Sequence, residues 1–202
     1  MRILITGFEP FGGSDVNSSW EAATRLGKLS FDGVDVVVRR LPVSFRRVGE
    51  EIRELLNEFS PDFMLLLGQR SNSTSIDLER IAINMMDSKK GDNDGYIPDE
   101  EPICHGAPLA LCSDISLKPL RDFLAEEGFE VRISNSAGLY VCNCAYYQTL
   151  KAIAEQGAGT KALFVHVPKM SDDVDFETIT DGLKDLICEI LKHLYYLNNN
   201  NN

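Results

Sequence analysis

The sequence predicts an α/β fold, a mostly parallel twisted sheet with helices on both faces. Three observations carry this expectation. Short apolar runs alternate with segments of helical spacing, the βαβα order that builds parallel sheets. Several runs are apolar throughout, as strands covered on both sides must be. The length of 202 residues, 44% of them hydrophobic, suffices for a substantial core within one domain.

The elements follow in order. Strands are expected at 2–6, 34–40, 62–68, 80–84, 130–134 and 162–167, all rich in Val, Ile, Leu and Phe. Helices are expected at 18–28, 45–59, 117–127, 142–154 and 176–196. The segment 52–59 shows apolar residues at helical spacing and stops before Pro61. Asp173 or Asp175 is placed to cap the last helix. Residues 1–197 read as one α/β domain of hydrolase type. A polar stretch at 85–114, rich in Gly, Asp, Asn and Pro, breaks the rhythm. An insertion of this length suggests a lid, an oligomer contact or a mobile hairpin. The asparagine tail, 198–202, is low in complexity and expected to be disordered.

Charge narrows the function classes. The net charge of −11 argues against DNA, RNA or an anionic membrane as a partner. No apolar run reaches the roughly 20 residues of a membrane span. The apolar run at 3–5 is too short for a leader core and is soon broken by Gly7 and Pro10. A cytoplasmic location is expected. Five cysteines, an odd number, fit reduced thiols better than a disulfide framework. Cys142-Asn-Cys144 is not a CxxC pair, and no companion spacing points to zinc, so no metal is expected.

Cys142 is the most informative residue. It follows a strand and a small-residue turn, at the start of a helix. A thiol there meets the positive end of the helix dipole, which favours the thiolate. His166 lies in the apolar strand that follows. A lone histidine in such a strand is often a packed core residue. Together with a cysteine at the end of a neighbouring strand it forms the pattern of covalent acyl transfer. Glu79 is the candidate third member, able to fix the imidazole's tautomer. Cys144, two residues along the helix, points to another face and reads as packing. The turn after the first strand holds Phe8 and Phe11 between glycines and a proline, a rigid apolar wall suited to a small, flat, uncharged ring. It has neither a GxGxxG nor a Walker pattern, which disfavours a nucleotide site.

Four blocks, in order, resemble the pyroglutamyl peptidase I (pyrrolidone carboxyl peptidase) family of cysteine peptidases. They are Ile5-Thr-Gly-Phe-Glu-Pro-Phe-Gly-Gly13 with Asn17-Ser-Ser-Trp20, Glu79-Arg-Ile-Ala-Ile-Asn84, Ser136-Ala-Gly-Leu-Tyr-Val-Cys-Asn143 and Phe164-Val-His-Val-Pro168. The resemblance implies a phosphorylase/hydrolase-like α/β fold and removal of N-terminal pyroglutamyl groups from peptides without a cofactor. It implies Cys142 as nucleophile, His166 as base and later acid, and Glu79 as the group that orients it. Phe8 and Phe11 then face the lactam ring, and Asn17, Gln69, Tyr140 and Val141 join them in the pocket. A homo-oligomer, dimer or tetramer, is also implied.

The chain departs from the family pattern in three places. The family's Gly-Gln-Ala-Gly-Gly-Arg loop is here Gly68-Gln69-Arg70-Ser71-Asn72-Ser73. Two glycines that permit positive φ are lost, so strain is expected in 70–73. Lys89-Lys90 stands where the family tends to have arginine, and lysine lacks the planar fork. Tyr140 matches a pocket phenylalanine. These changes predict an altered pocket and weaker pyroglutamyl peptidase activity. They leave two alternatives: a related cysteine hydrolase with a different small acyl substrate, or an inactive homologue acting as a binding or oligomeric protein.

Overall fold

A six-stranded sheet organises the chain in the computed structural model, which describes residues 1–157, 159–171 and 174–200, the side chains of 197–200 excepted. The strands are β1 (Arg2–Phe8), β2 (Asp35–Leu41), β3 (Phe63–Arg70), β4 (Ile76–Glu79), β7 (Val131–Ser134) and β8 (Lys161–Pro168), in the order β2-β1-β3-β8-β4-β7. All neighbours are parallel except β4 and β8, which run antiparallel. A separate antiparallel pair, β5 (Ile81–Ile83) and β6 (Ala110–Cys112), lies outside this sheet.

Strand alternation divides the core in two. Ile3, Ile5, Leu65, Leu67, Leu163 and Val165 point to one face. There they pack against α1 (Ser18–Leu26), α3 (Leu117–Glu126) and α5 (Phe176–Asn200). Leu4, Phe8, Met64, Leu66 and Phe164 point to the other, against α2 (Val48–Phe59) and α4 (Val141–Gln156). Helices therefore cover both faces, as the sequence predicts. Asp175 caps α5, its carboxylate accepting from the Glu177 amide at 3.0 Å and the Thr178 hydroxyl at 2.6 Å. Asp173, the other candidate cap, lies outside the described residues, as do Asn201 and Asn202 of the tail.

Two expectations need correction. The run 80–84 is not a strand of the main sheet: β5 leaves it to pair with β6. The main-sheet strand is the preceding segment, Ile76–Glu79, whose Ile-Asp-Leu-Glu alternation carries two carboxylates into the core. The 85–114 stretch is tied down rather than loose. Asn143 of α4 donates to the carbonyls of Ile83 at 2.8 Å and Met85 at 3.0 Å. Asp92, buried, accepts from the amides of Phe45 at 2.8 Å and Tyr96 at 2.9 Å.

The end of α2 gives a test. Ser60, exposed, caps the helix in the left-handed conformation at φ 41°, which suits glycine better than serine. Ser60→Gly is expected to stabilise the fold by about 0.5 kcal/mol, the relieved strain exceeding glycine's extra entropy when unfolded. A thermal melt reads this as a small rise in Tm; a fall overturns it.

Candidate active site

The site is built where the α2/α4 face of the sheet meets the C-terminal ends of β3 and β8. Within β8, Phe164 and His166 share a face, and the antiparallel pairing sets Asp77 opposite His166 and Glu79 opposite Phe164. Glu79 reaches back to His166, with Oε1 2.7 Å from Nδ1. Both side chains are buried. This bond fixes the ring and leaves Nε2 as the nitrogen that can serve the thiol. Gly68, paired with His166 from the other side, is required by crowding. A Cβ there would lie 2.7 Å from the Phe164 ring and 3.0 Å from His166 Cδ2.

Cys142 is the second residue of α4, after a turn in which Gly138 takes φ 81°. The turn is braced by Tyr140, whose hydroxyl donates to the Gly91 carbonyl at 3.0 Å and whose ring meets Phe45 edge-on at 5.2 Å. Cys142 and His166 line one cavity of about 310 Å³ with Phe8, Phe11, Asn17, Val43, Gln69, Arg70, Ser71, Ala137, Gly138, Tyr140 and Val141. The structure thus brings together all six predicted substrate residues with the predicted nucleophile and base. Glu79 stands behind His166, outside the lining.

The polar wall is partly committed. Asn17 Oδ1 accepts from the Ser19 amide and hydroxyl, and Nδ2 donates to the Glu9 carbonyl, so this side chain braces the β1–α1 loop. Gln69 Oε1 accepts from the Ser18 amide at 2.9 Å and hydroxyl at 3.0 Å, which leaves its Nε2 donor for the cavity. The remaining wall is largely apolar and suits an uncharged ring.

Behind the cavity lies a charge network that the sequence reading did not assemble. Asp77, fully buried, accepts from Arg132 Nε at 2.6 Å and Nη2 at 2.8 Å, from Arg70 Nη1 at 2.8 Å and from Ser75 Oγ at 2.7 Å. Burial alone would raise its pKa. The bonds from Arg132 and Ser75 and the charges of both arginines outweigh that and hold the carboxyl below its usual range. The signal available was the apolar–acidic alternation of β4, which reads as a strand with one polar face.

Three expectations change. The first concerns the thiol. Burial dominates at Cys142 and pushes it up to about 12, with Glu79's charge adding and Arg70's charge opposing. Burial therefore opposes, and outweighs, the pull of the helix N-terminus toward the thiolate. The second concerns loop strain. The non-glycine residues with positive φ among those described are Ser60 and Glu100, so none lies in 70–73. The third concerns Lys89 and Lys90, which are exposed and outside the cavity lining. Arg70 and Ser71 do border it. Cys144 is packed, 1% exposed, and burial raises it to about 12 as well. Among the described residues, no group of three His, Cys, Asp or Glu side chains is arranged to hold a metal ion.

Comparison with known proteins follows the same lines. The pyroglutamyl peptidase family model matches residues 1–186. The pyrrolidone-carboxylate peptidase of Thermococcus onnurineus is 47% identical over 95% of this chain and 100% of its own. That of Thermococcus kodakarensis is 40% identical over 96% and 98%. The pyrrolidone carboxyl peptidase structure from Thermococcus litoralis superposes with a TM-score of 0.91 at 32% identity, covering 96% of this chain and 95% of that one. One from Pyrococcus furiosus gives 0.91 at 33%, covering 96% and 100%.

A raised thiol has a measurable signature. Below its pKa the thiolate fraction grows about tenfold per pH unit. Iodoacetamide alkylation of Cys142, followed by mass spectrometry, is therefore expected to climb from pH 6 to 9 without a plateau, while Cys144 stays unlabelled. A plateau below pH 7 would mean a preformed ion pair and overturn this reading.

Proposed function

We propose that this chain, which belongs to the pyroglutamyl peptidase family, removes N-terminal pyroglutamyl groups from peptides through an acyl-enzyme on Cys142. The observation that carries the reading is the buried 2.7 Å bond between Glu79 and His166, set behind an apolar cavity that also holds Cys142.

In the proposed reaction, His166 Nε2 accepts the Cys142 proton as Sγ attacks the pyroglutamyl carbonyl. The developing imidazolium is opposed by Glu79, which also holds the ring's tautomer. Backbone N–H groups at the start of α4 are suited to receive the oxyanion. The imidazolium gives its proton to the leaving amine, and the S–C bond remains as a thioester. Water, deprotonated by the same imidazole, then releases pyroglutamate and restores the thiol. Phe8, Phe11, Val43 and Tyr140 pack the lactam ring, and Gln69 Nε2 donates to its carbonyl. A site built on such contacts rejects analogues that leave its polar groups unpaired.

Two further parts of the reading concern surroundings. Among the described residues no helix is long and apolar enough to cross a membrane; the five cysteines, all free, support a peptide substrate met in the reducing cytoplasm. Met85, Ile97 and Leu109, exposed on the 85–114 arm, support a homo-oligomer assembled through that arm, as a dimer or tetramer.

Turnover of a pyroglutamyl naphthylamide tests the reaction. Cys142→Ala and His166→Ala are expected to abolish it, and Cys144→Ala to retain most of it. Glu79→Gln is expected to lower kcat about a hundredfold with the fold intact, because the imidazolium loses its counter-charge. Full activity in Cys142→Ala would remove the assignment, and unchanged kcat in Glu79→Gln would reduce Glu79 to a structural acid.

A further inference from the structure

Arg70 is the last residue of β3 and shares its strand face with Gly68, beside His166. Its side chain is only 27% exposed, and the guanidinium makes three contacts with two parts of the chain, β4 and the turn at Ser136. Nη1 lies 2.8 Å from Asp77 Oδ2, Nη2 lies 3.3 Å from Glu79 Oε1, and Nη2 donates to the Ser136 carbonyl at 2.9 Å. Arg132, the other arginine of the network, bonds to Asp77 and Ser73. Arg70 is thus the side chain that spans both buried carboxylates.

We propose that Arg70 is a positioning residue of this site: its fork fixes the Glu79 carboxylate against His166 Nδ1 and ties the turn before Cys142 to the same anchor. The inference rests on the function proposed above for Cys142, His166 and Glu79. Its physical basis is the accounting at Glu79. Oε1 is shared by His166 and Arg70, and Oε2 is buried with no hydrogen-bond partner among the described residues. Without Arg70, His166 Nδ1 is the one hydrogen-bond partner left to the carboxylate among the described residues, and Arg132 alone is left to offset the charges of Asp77 and Glu79. Ser136 begins the turn through Gly138 to Tyr140, so its carbonyl sets where α4 starts and where Sγ points. Arg70 also borders the cavity. Its charge lowers the Cys142 pKa against the opposing effect of burial. A fork is needed because one point charge cannot bond a carboxylate on one side and a carboxylate with a carbonyl on the other.

The test compares wild type, Arg70→Gln and Arg70→Lys in the full chain. Three quantities are read: the rate of Cys142 alkylation by iodoacetamide at pH 8, kcat and KM for a pyroglutamyl naphthylamide, and the thermal melt. For Arg70→Gln, alkylation is expected to fall about tenfold, the effect of losing one nearby cation. Its kcat should fall more than about tenfold, with KM changed less than about threefold. Arg70→Lys should restore alkylation to near the wild-type rate yet leave kcat several-fold low, because charge returns without the fork. Unchanged alkylation and kcat in a folded Arg70→Gln overturn the proposal. A large rise in KM at constant kcat also overturns it, since that marks a substrate contact. If Arg70→Gln does not melt cooperatively, Arg70→Lys decides: reduced kcat with near-wild-type alkylation supports the proposal, and wild-type kcat overturns it. The alkylation comparison needs no substrate, so failure of wild type to cleave the pyroglutamyl reporter would count against the proposed function and not against Arg70.

Discussion

Two carboxylates, Asp77 and Glu79, sit two residues apart on β4 with no exposure to water, and the rest of the site depends on giving both of them partners. Burying an unpaired ion costs several kcal/mol, and two like charges on one strand face add repulsion. The chain meets this with Arg132, Arg70 and Ser75 around Asp77, and with His166 and Arg70 at Glu79. Each partner arrives from a different element: Arg70 from β3, Arg132 from β7, His166 from β8. The charge cluster therefore joins four neighbouring strands, β3, β8, β4 and β7, which the backbone ladders hold in register. Removing one cation would leave an anion stranded in the core, a larger penalty than the loss of the bond itself.

The direction of β4 follows from the same constraint. A short connection from β3, 71–75, turns the chain back so that β4 runs antiparallel to β8, beyond the central parallel strands. In this orientation Glu79 reaches His166 diagonally while Asp77, directly opposite the histidine, turns its oxygens to the arginines. The hydrophobic layers then take complementary tasks. The α1/α3/α5 face is filled with apolar side chains, Phe63 and Phe176 among them. The α2/α4 face becomes polar only at the strand ends, where α4 brings Cys142. That is the crevice beyond the carboxyl ends of parallel strands, the usual ligand position in open α/β sheets.

Much of this was legible in the sequence, and the gaps have physical reasons. Five helices and five of the six main-sheet strands announce themselves by apolar period, because their burial is hydrophobic. β4 did not, because half of its residues are acidic and an acid reads as surface unless its counter-ions are known. Those counter-ions, Arg70 and Arg132, lie 7 and 55 positions away in the chain, and spacing cannot pair them. Arg70 was visible only as a departure from a glycine-rich loop, and the loss of glycine suggested strain. The backbone of 70–73 needs no left-handed residue, so the substitution is better understood as a cation gained than as a turn damaged. The six pocket residues were legible through the family resemblance, whose compact blocks hold Phe8, Phe11, Asn17, Tyr140 and Val141, with Gln69 in the changed loop.

The thiol shows where local reasoning misleads. A helix N-terminus favours a thiolate, but it acts over a short range and against desolvation, and at Cys142 burial is the larger effect. A high thiol pKa is not a handicap when a base is held at hand. Nucleophilicity of a thiolate falls as its pKa falls, so a site that stores a stable anion gives up some reactivity toward an amide carbonyl. In the proposed reaction the buried Glu79 compensates the positive charge on His166 at the moment the proton moves, so the proton need not leave in advance. The wall of Phe8, Phe11 and Tyr140 lines the cavity that also holds Cys142, and in the proposed function it receives the uncharged lactam. In the proposed function one apolar cavity thus both holds the thiol and selects the ring, without any charged contact to the substrate.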